Sequence, residues 1–200
     1  MTARKVSYAQ NAEDVRVWRA FSGSGPGLTY VDVGANEPRH LSITASLHDL
    51  GWRGLLIEAD PSLAAELRVH RPGGPAVECA AAAGPGELTF FRVPGAGLGT
   101  LDEATQALDR ILDEQHAGDV HFMSIDVEGA EAVVLQGLSL DRHRPWVLCV
   151  EAVLPGTSTP SHAEWEPGIL GRGYAYVTFD GVNRWYVADE HADLAAQVAV

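Results

Sequence analysis

The sequence predicts an α/β fold built on a doubly wound, mostly parallel sheet, and three observations predict it. Apolar runs of strand length alternate with helical segments from residue 28 to residue 153, the pattern of parallel strands joined by helical crossovers. Four of those runs end in an acidic residue. After them, two period-two segments at 174–180 and 183–189 flank the dipeptide "GV", which reads as an antiparallel C-terminal hairpin. The length of 200 residues suits one domain with one core. Residues 1–27 are expected to form a helical cap and residues 28–200 the sheet-based core.

Each element follows from local chemistry. Residues 7–21, "SYAQNAEDVRVWRAF", place Val15, Trp18, Ala20 and Phe21 at roughly helical spacing, with Glu13 and Asp14 near the start, where they complement the helix dipole. "GSGPG" at 23–27 ends that helix. "LTYVDVG" (28–34) is the first strand and "LSITASLHDL" (41–50) the helix after it. "GLLIEAD" (54–60) is the second strand; Pro61 then opens a helix that continues as "SLAAELRVHR". "AVECAAAA" (76–83) suits a third strand and "LTFFRV" (88–93) a short additional one. A helix at 108–115, a strand in "VHFMSIDVEG" (120–129), a helix at 130–138 and a strand in "WVLCVEAV" (146–153) complete the alternation.

Composition narrows the partners. A formal net charge of −13 repels a phosphate backbone, which argues against nucleic acid. No apolar run approaches the ~18 residues of a membrane span. The start, "MTARKVSYAQNAEDV", has no apolar segment after its early basic residues, so a cytoplasmic protein without a membrane partner is expected. Cys79 and Cys149 each lie in an apolar stretch and supply neither a disulfide framework nor a zinc pattern. Oligomeric state is left open.

In an open sheet of this kind the ligand sits beyond the carboxyl ends of the strands, where the strand order reverses. Those ends supply Asp32, Glu58, Asp126 with Glu128, and Glu151. Glu58 lies 26 positions after Asp32, near the roughly 20-residue offset at which an acid bonds the ribose hydroxyls of a nucleoside. That spacing admits an NAD(P)-dependent oxidoreductase as an alternative. The loop after the first strand, however, reads Gly34, Ala35, Asn36, Glu37, Pro38. It lacks the further glycines a pyrophosphate needs and adds an anion. Acids at 32, 37, 126 and 151 suit an ammonium, a sulfonium or a metal ion instead. S-adenosylmethionine carries ribose, adenine, an ammonium and a sulfonium but no phosphate, and so matches the set. Transfer of its methyl group to an alcohol requires a base near the reacting carbon. In "IDVEGAE" (125–131), Asp126 and Glu128 share a face if the strand runs through both. Glu131 falls in the first turn of the next helix, where it serves the dipole.

The eight histidines, at 40, 48, 70, 116, 121, 143, 162 and 191, form no pair with metal-site spacing. His40 stands out as a candidate base because it follows the "GANEPR" loop. No firm metal set emerges, yet Asp126 and Glu151, on strands expected to be neighbours, offer the oxygen ligands magnesium prefers. Hydrogen bonding to the acceptor or to the cofactor's ammonium is the other use for the same acids. Trp52, Trp146, Trp165 and Trp185 are either acceptor platforms or packing residues.

Six blocks, "SYAQNAEDV", "YVDVGANEP", "GWRGLLIEADP", "IDVEGAEAVVLQG", "RPWVLCVEA" and "GYAYVTFDGVNRWYVADEH", occur in this order between residues 7 and 191. Together they resemble the FkbM family of S-adenosylmethionine-dependent methyltransferases. The resemblance implies a Rossmann-like class I methyltransferase fold, a seven-stranded sheet with its last strand antiparallel. It also implies methyl transfer, usually to a hydroxyl, on a small-molecule or glycan acceptor such as a sugar or a polyketide-type natural product. By the same resemblance Asp32, Gly34 and Asn36 line the methionine end of the cofactor and Glu58 the ribose. Asp126 stands beside the reacting centre with Glu128 and Glu151 near it, and Gln10, Glu13 and Asp14 close over the cofactor. One departure concerns "TLDEATQ" (100–106), which runs straight into "ALDRILDEQ" (107–115), where the family pattern inserts a longer connection and a strand. Either the chain is shorter there or a segment is missing between Ala107 and Leu108. That junction motivates a third reading, a non-catalytic binding module on the same fold.

Overall fold

A computed structural model describes residues 6–89, 102–115 and 118–199. Helix α1 (Glu13–Ala20) precedes β1 (Thr29–Val33), α2 (Ala45–Asp49), β2 (Arg53–Glu58), α3 (Pro61–His70), β3 (Ala76–Glu78) and β4 (Ala80–Ala82). There follow β5 (Gly86–Thr89), β6 (Asp102–Ala107), α4 (Leu108–Gln115), β7 (Phe122–Ile125), α5 (Glu131–Gln136) and β8 (Val147–Glu151). The chain then forms α6 (Glu166–Leu170), β9 (Tyr174–Phe179), β10 (Asn183–Ala188) and α7 (Ala195–Val198). No helix among the described residues is long and apolar enough to cross a membrane.

Seven strands build one sheet in the order β3-β2-β1-β7-β8-β10-β9. All neighbours pair in parallel except β10, which is antiparallel to both β8 and β9. The hairpin expected from "GV" forms, with β10 tucked between β8 and β9 instead of extending the sheet outward. Strand β9 therefore runs with the parallel set, and the final strand alone opposes it. The order turns back at β1, from which β2 and β3 lead one way and β7 and β8 the other. That reversal is the switch point at which open α/β sheets bind ligands.

Alternation along the strands sorts side chains onto two layers. Val31, Val33, Ile57, Met123, Ile125 and Val150 pack with Leu108 and Ile111 of α4, Val134 of α5 and Ile169 of α6. Tyr30, Leu56, Phe122, Cys149 and Trp185 pack on the other face with Val17 of α1, Leu47 of α2, Leu67 of α3 and Val198 of α7. Trp185 is fully buried, stacks on Phe122 at 6.0 Å and donates its indole N–H to Asp180 at 2.7 Å. Truncating it to alanine costs about 3–5 kcal/mol.

Three elements differ from expectation. The run 76–83 is not one strand: it breaks at Cys79, whose N–H donates to the Glu58 carbonyl at 3.1 Å. Beyond the break β4 leaves for a small sheet of order β4-β6-β5. Gly137 permits the close approach of β4, since a Cβ on it would lie 1.9 Å from the Ala82 carbonyl. The helix expected over 41–50 is reduced to α2, because Leu41 has φ +55° and the Ser42 and Thr44 hydroxyls are engaged in side-chain bonds. The strand expected at 88–93 is described only as far as Thr89, and the rest of it, like His116, lies outside the described residues. At the 107–108 junction, Ala107 still pairs with Ala82 and Leu108 already begins α4. Residues 102–107 thus supply the strand that leads into the helix.

Candidate active site

Register assembles the site. Val33 pairs with Ile57 on one side and Ile125 on the other, and Ile125 pairs with Val150. One residue further on come Glu58, Gly34, Asp126 and Glu151, with Asn183 of β10 paired to Glu151. Since Val33, Ile57, Ile125 and Val150 face the α4–α6 layer, this next row faces the other way, toward α1. Gly34 occupies its centre at φ +82°, where a Cβ would stand 1.7 Å from the Asp126 carbonyl oxygen. Only glycine allows β1 and β7 to approach this closely at that φ.

Asp126 is exposed to solvent, with the acidic side chains of Glu128, Glu131, Glu151 and Asp32 around it. Desolvation first, and then the charge of Glu128, push its carboxyl up to about 7. Glu151 is only 8% exposed; desolvation, and next the Asp126 charge, push it up to about 9. Each carboxyl raises the charging cost of the other, which favours a proton on the pair. Two carboxylates this close cannot both ionise at neutral pH. Oε2 of Glu151 is buried, and no donor group reaches it.

Behind β1, Asp32 is 4% exposed and accepts a hydrogen bond from the Thr44 hydroxyl at 2.5 Å. Thr44 in turn accepts from Arg71 at 2.7 Å, and the same buried guanidinium donates to the Tyr30 hydroxyl, the Pro38 carbonyl and the Ser42 hydroxyl. Burial pushes Asp32 up; the Thr44 bond and Arg71 pull it back. Asp32 is thus a foundation of the 34–44 loop and not an open wall of the cleft. Glu58 accepts from the Asn36 N–H at 2.7 Å and the Asp60 N–H at 2.8 Å. One acid therefore pins the loops after β1 and β2 while keeping lone pairs free for hydroxyl donors. Asn36 itself is exposed at φ +51°.

The N-terminal block folds over this end of the sheet: Ala9 forms a parallel bridge with Leu41. Glu13 is buried, accepting from the Asn11 N–H at 2.7 Å and from the Asn183 amide at 3.1 Å. Desolvation pushes its carboxyl up. Asp14 is also buried and accepts from the Ser7 hydroxyl and the Tyr8 N–H. Gln10 and His40 are both exposed, and no hydrogen bond joins His40 to the carboxylates of the row.

Glu131 is 2% exposed and accepts from the N–H groups of Val127 at 3.2 Å and Gly129 at 3.0 Å. It stands in the first turn of α5, as expected, and also braces the loop after β7. That loop holds Glu128 exposed at φ +55°, an uncommon conformation for a side-chain-bearing residue and one that concentrates at functional sites. The tryptophans pack. Trp52 and Trp146 meet Phe21 and His121 at the amino edge of the sheet, Trp165 packs against Tyr186, and Trp185 is enclosed. Sequence reasoning missed Thr44, Arg71 and Asn183. A threonine before a helix, an arginine at a helix end and an asparagine opening a strand carry no local sign of burial.

Among the described residues, no group of three or more His, Cys, Asp or Glu side chains gathers as a metal site. Asp126 and Glu151 are two carboxyls, fewer than the oxygen ligands a magnesium site takes.

A family model described as a methyltransferase FkbM domain matches residues 32–176. Among solved structures, the chain is similar to a TehB-like SAM-dependent methyltransferase from Corynebacterium glutamicum. Identity is 12%, the TM-score is 0.48, and 88% of this chain and 87% of that one are covered. It is also similar to CalO1, a methyltransferase in calicheamicin biosynthesis in its SAH-bound form, at 16% identity and a TM-score of 0.40, covering 88% of this chain and 54% of that one. No curated protein matches the chain in sequence. The matched stretch begins at Asp32, ends within β9 and takes in Gly34, Glu58, Asp126 and Glu151, and by that match the chain belongs to the FkbM methyltransferase family.

Proposed function

We propose that the protein is an S-adenosylmethionine-dependent O-methyltransferase acting on a hydroxyl of a small-molecule or glycan acceptor, of the sugar or polyketide type, in the cytoplasm. The observation that carries this reading is the row Glu58, Gly34, Asp126, Glu151 at the switch point, with a buried carboxyl oxygen left without a partner. The donor set suits the cofactor. An acid on β2 can accept ribose hydroxyls, a glycine leaves the Asp126 carbonyl bare beside it, and carboxylates stand where a cation is welcome. Helix α2 does not begin until Ala45, so no helix N-terminus meets Gly34 to hold a pyrophosphate. This weighs against a dinucleotide-dependent oxidoreductase.

When bound, the cofactor supplies a methyl group on a positively charged sulfur. In this reading Glu58 takes the ribose, Gly34 and Asn36 line the methionine end with Asp32 fixing the turn from behind, and Gln10 and Glu13 cover the top. Asp126 accepts the proton of the acceptor hydroxyl, and Glu151, keeping its own proton, holds Asp126 in place by donating to it. Among the described residues no arginine bonds a carboxylate of the row: Arg71 is spent on the 38–44 loop, Arg184 on Glu166, and Arg39 on Asp49. No step is assigned to a metal.

Calorimetric titration with S-adenosylmethionine and S-adenosylhomocysteine tests the cofactor assignment, and absence of binding at millimolar ligand would sink it. Transfer of labelled methyl to a hydroxylated acceptor separates an enzyme from a binding module on this fold. Asp126→Asn lowers that transfer by about 10²–10³-fold, whereas His40→Ala leaves it within a few-fold; the reverse result moves the base to His40.

A further inference from the structure

On the face of the sheet opposite the row, a cavity of about 270 Å³ opens between α5 and α6, a size for a ligand smaller than a typical drug. Leu135, Leu138 and Ile169 give it apolar walls, and the exposed Glu164 and Arg172 stand at its mouth. Trp165 lines it as well and is only 6% exposed. Its indole N–H is buried and meets no acceptor among the described residues. The backbone of the same turn is satisfied: the Trp165 N–H donates to the His162 carbonyl at 3.2 Å, and the Trp165 carbonyl accepts from the Gly168 N–H at 3.1 Å. A buried donor without an acceptor costs free energy, and native structures keep few of them. Packing against Tyr186 at 6.2 Å uses the ring alone, a contact that a phenyl group would make without bringing a donor.

Gly168 is a second choice that the packing leaves unexplained. Inside a helix a glycine is less favourable than an alanine. At Gly137 a close backbone contact requires it, whereas a Cβ on Gly168 would meet nothing within 4 Å among the described residues, and its φ lies outside the left-handed range. What the missing side chain does at 168 is leave the cavity open.

We infer that this cavity is a binding site separate from the methyl-transfer row, for a small neutral molecule that combines an apolar ring with a hydrogen-bond acceptor such as a carbonyl oxygen. The oxygen accepts from the Trp165 indole, and the ring lies between Leu135, Leu138 and Ile169 in the space that Gly168 leaves. Charge selects neither sign of ligand, because Glu164 and Arg172 stand there together and Arg172 is already paired with Asp141 at 3.4 Å. The row faces α1 on the other side of the sheet, so an occupant of the cavity takes none of the room assigned to S-adenosylmethionine.

The test uses two probes on the isotope-labelled full chain: acetophenone, which has a ring and a carbonyl, and ethylbenzene, which has the ring without the carbonyl. Acetophenone should shift one of the five tryptophan indole N–H signals, the one missing from Trp165→Phe, and should bind about three- to tenfold more tightly than ethylbenzene. Trp165→Phe should erase that preference. Gly168→Leu, whose side chain fills the cavity, should weaken acetophenone at least about tenfold. Thermal melts establish that each variant folds, and if one does not, the other decides. An unmoved Trp165 signal at millimolar acetophenone, equal affinity for the two probes, or binding unchanged in Gly168→Leu overturns the inference, and none of these results bears on the cofactor reading.

Discussion

Asp126 and Glu151 raise each other's affinity for a proton because two strand ends meet in register. In the folded chain both carboxyls keep their protons to higher pH than in the unfolded chain. Their contribution to stability is therefore full below the ordinary carboxylate range, declines as pH rises, and is gone above the folded value of about 9 for Glu151. Glu13, Glu58 and Glu131 are shifted in the same direction by burial. Urea unfolding should show stability falling by roughly 2 kcal/mol between pH 5 and pH 9, a figure discounted for solvent screening at the accessible Asp126. Glu151→Gln should flatten that slope, and a level profile for the unaltered protein counts against the shared proton. Gly34 admits an equally local prediction. At its φ of +82°, an added methyl would come within 1.7 Å of the Asp126 carbonyl, so Gly34→Ala costs at least about 3 kcal/mol. A denaturation midpoint left unchanged would show that β1 and β7 can part without penalty.

Helix α1 shows how far an element's role can lie from its own sequence. Periodicity places a helix across 7–21, but Ala12 takes φ +59° and the chain before it runs extended to bridge Leu41, so the helix starts only at Glu13. Glu13 looks like a dipole partner because acids often open helices. In the fold it reaches Asn183, 170 positions away, and binds α1 to the strand beside Glu151. Nothing in a short window announces a partner that distant. Asn183→Ala should remove this tether at a cost of about 1–2 kcal/mol. Hydrogen exchange should then quicken in residues 7–20 and at the β9–β10 turn while β1 and β7 stay protected; uniform protection would assign α1's docking to Val17 and its apolar neighbours alone. By contrast the acid of α5 is legible as a first-turn residue, and its added task, bracing Val127 and Gly129, is carried out within its own loop.

Across the whole chain, alternation of strand and helix and the acids at strand ends are properties of short stretches, and they were readable as such. What collects Glu58, Gly34, Asp126, Glu151 and Asn183 into one row is the strand order, which depends on every crossover at once. Arg71 was illegible for a related reason: its burial follows from α3 docking beside β2, not from "RVHRPGG" itself. The net charge of −13 also acts on the molecule as a unit, since like charges repel in the compact state. Raising salt should stabilise the free protein by about 1 kcal/mol, or roughly 2–4 °C in melting temperature; a fall in melting temperature with salt would mean that its ion pairs outweigh that repulsion. The insertion of β10 between β8 and β9 bears finally on synthesis. While the ribosome is still making residue 182, β8 has a bare flank, Glu151 lies open on it, and β9 has nothing to bind. That flank is covered only when residues 183–188 emerge and thread between β8 and β9, so the edge beside Glu151 is completed after both of its neighbours have been made.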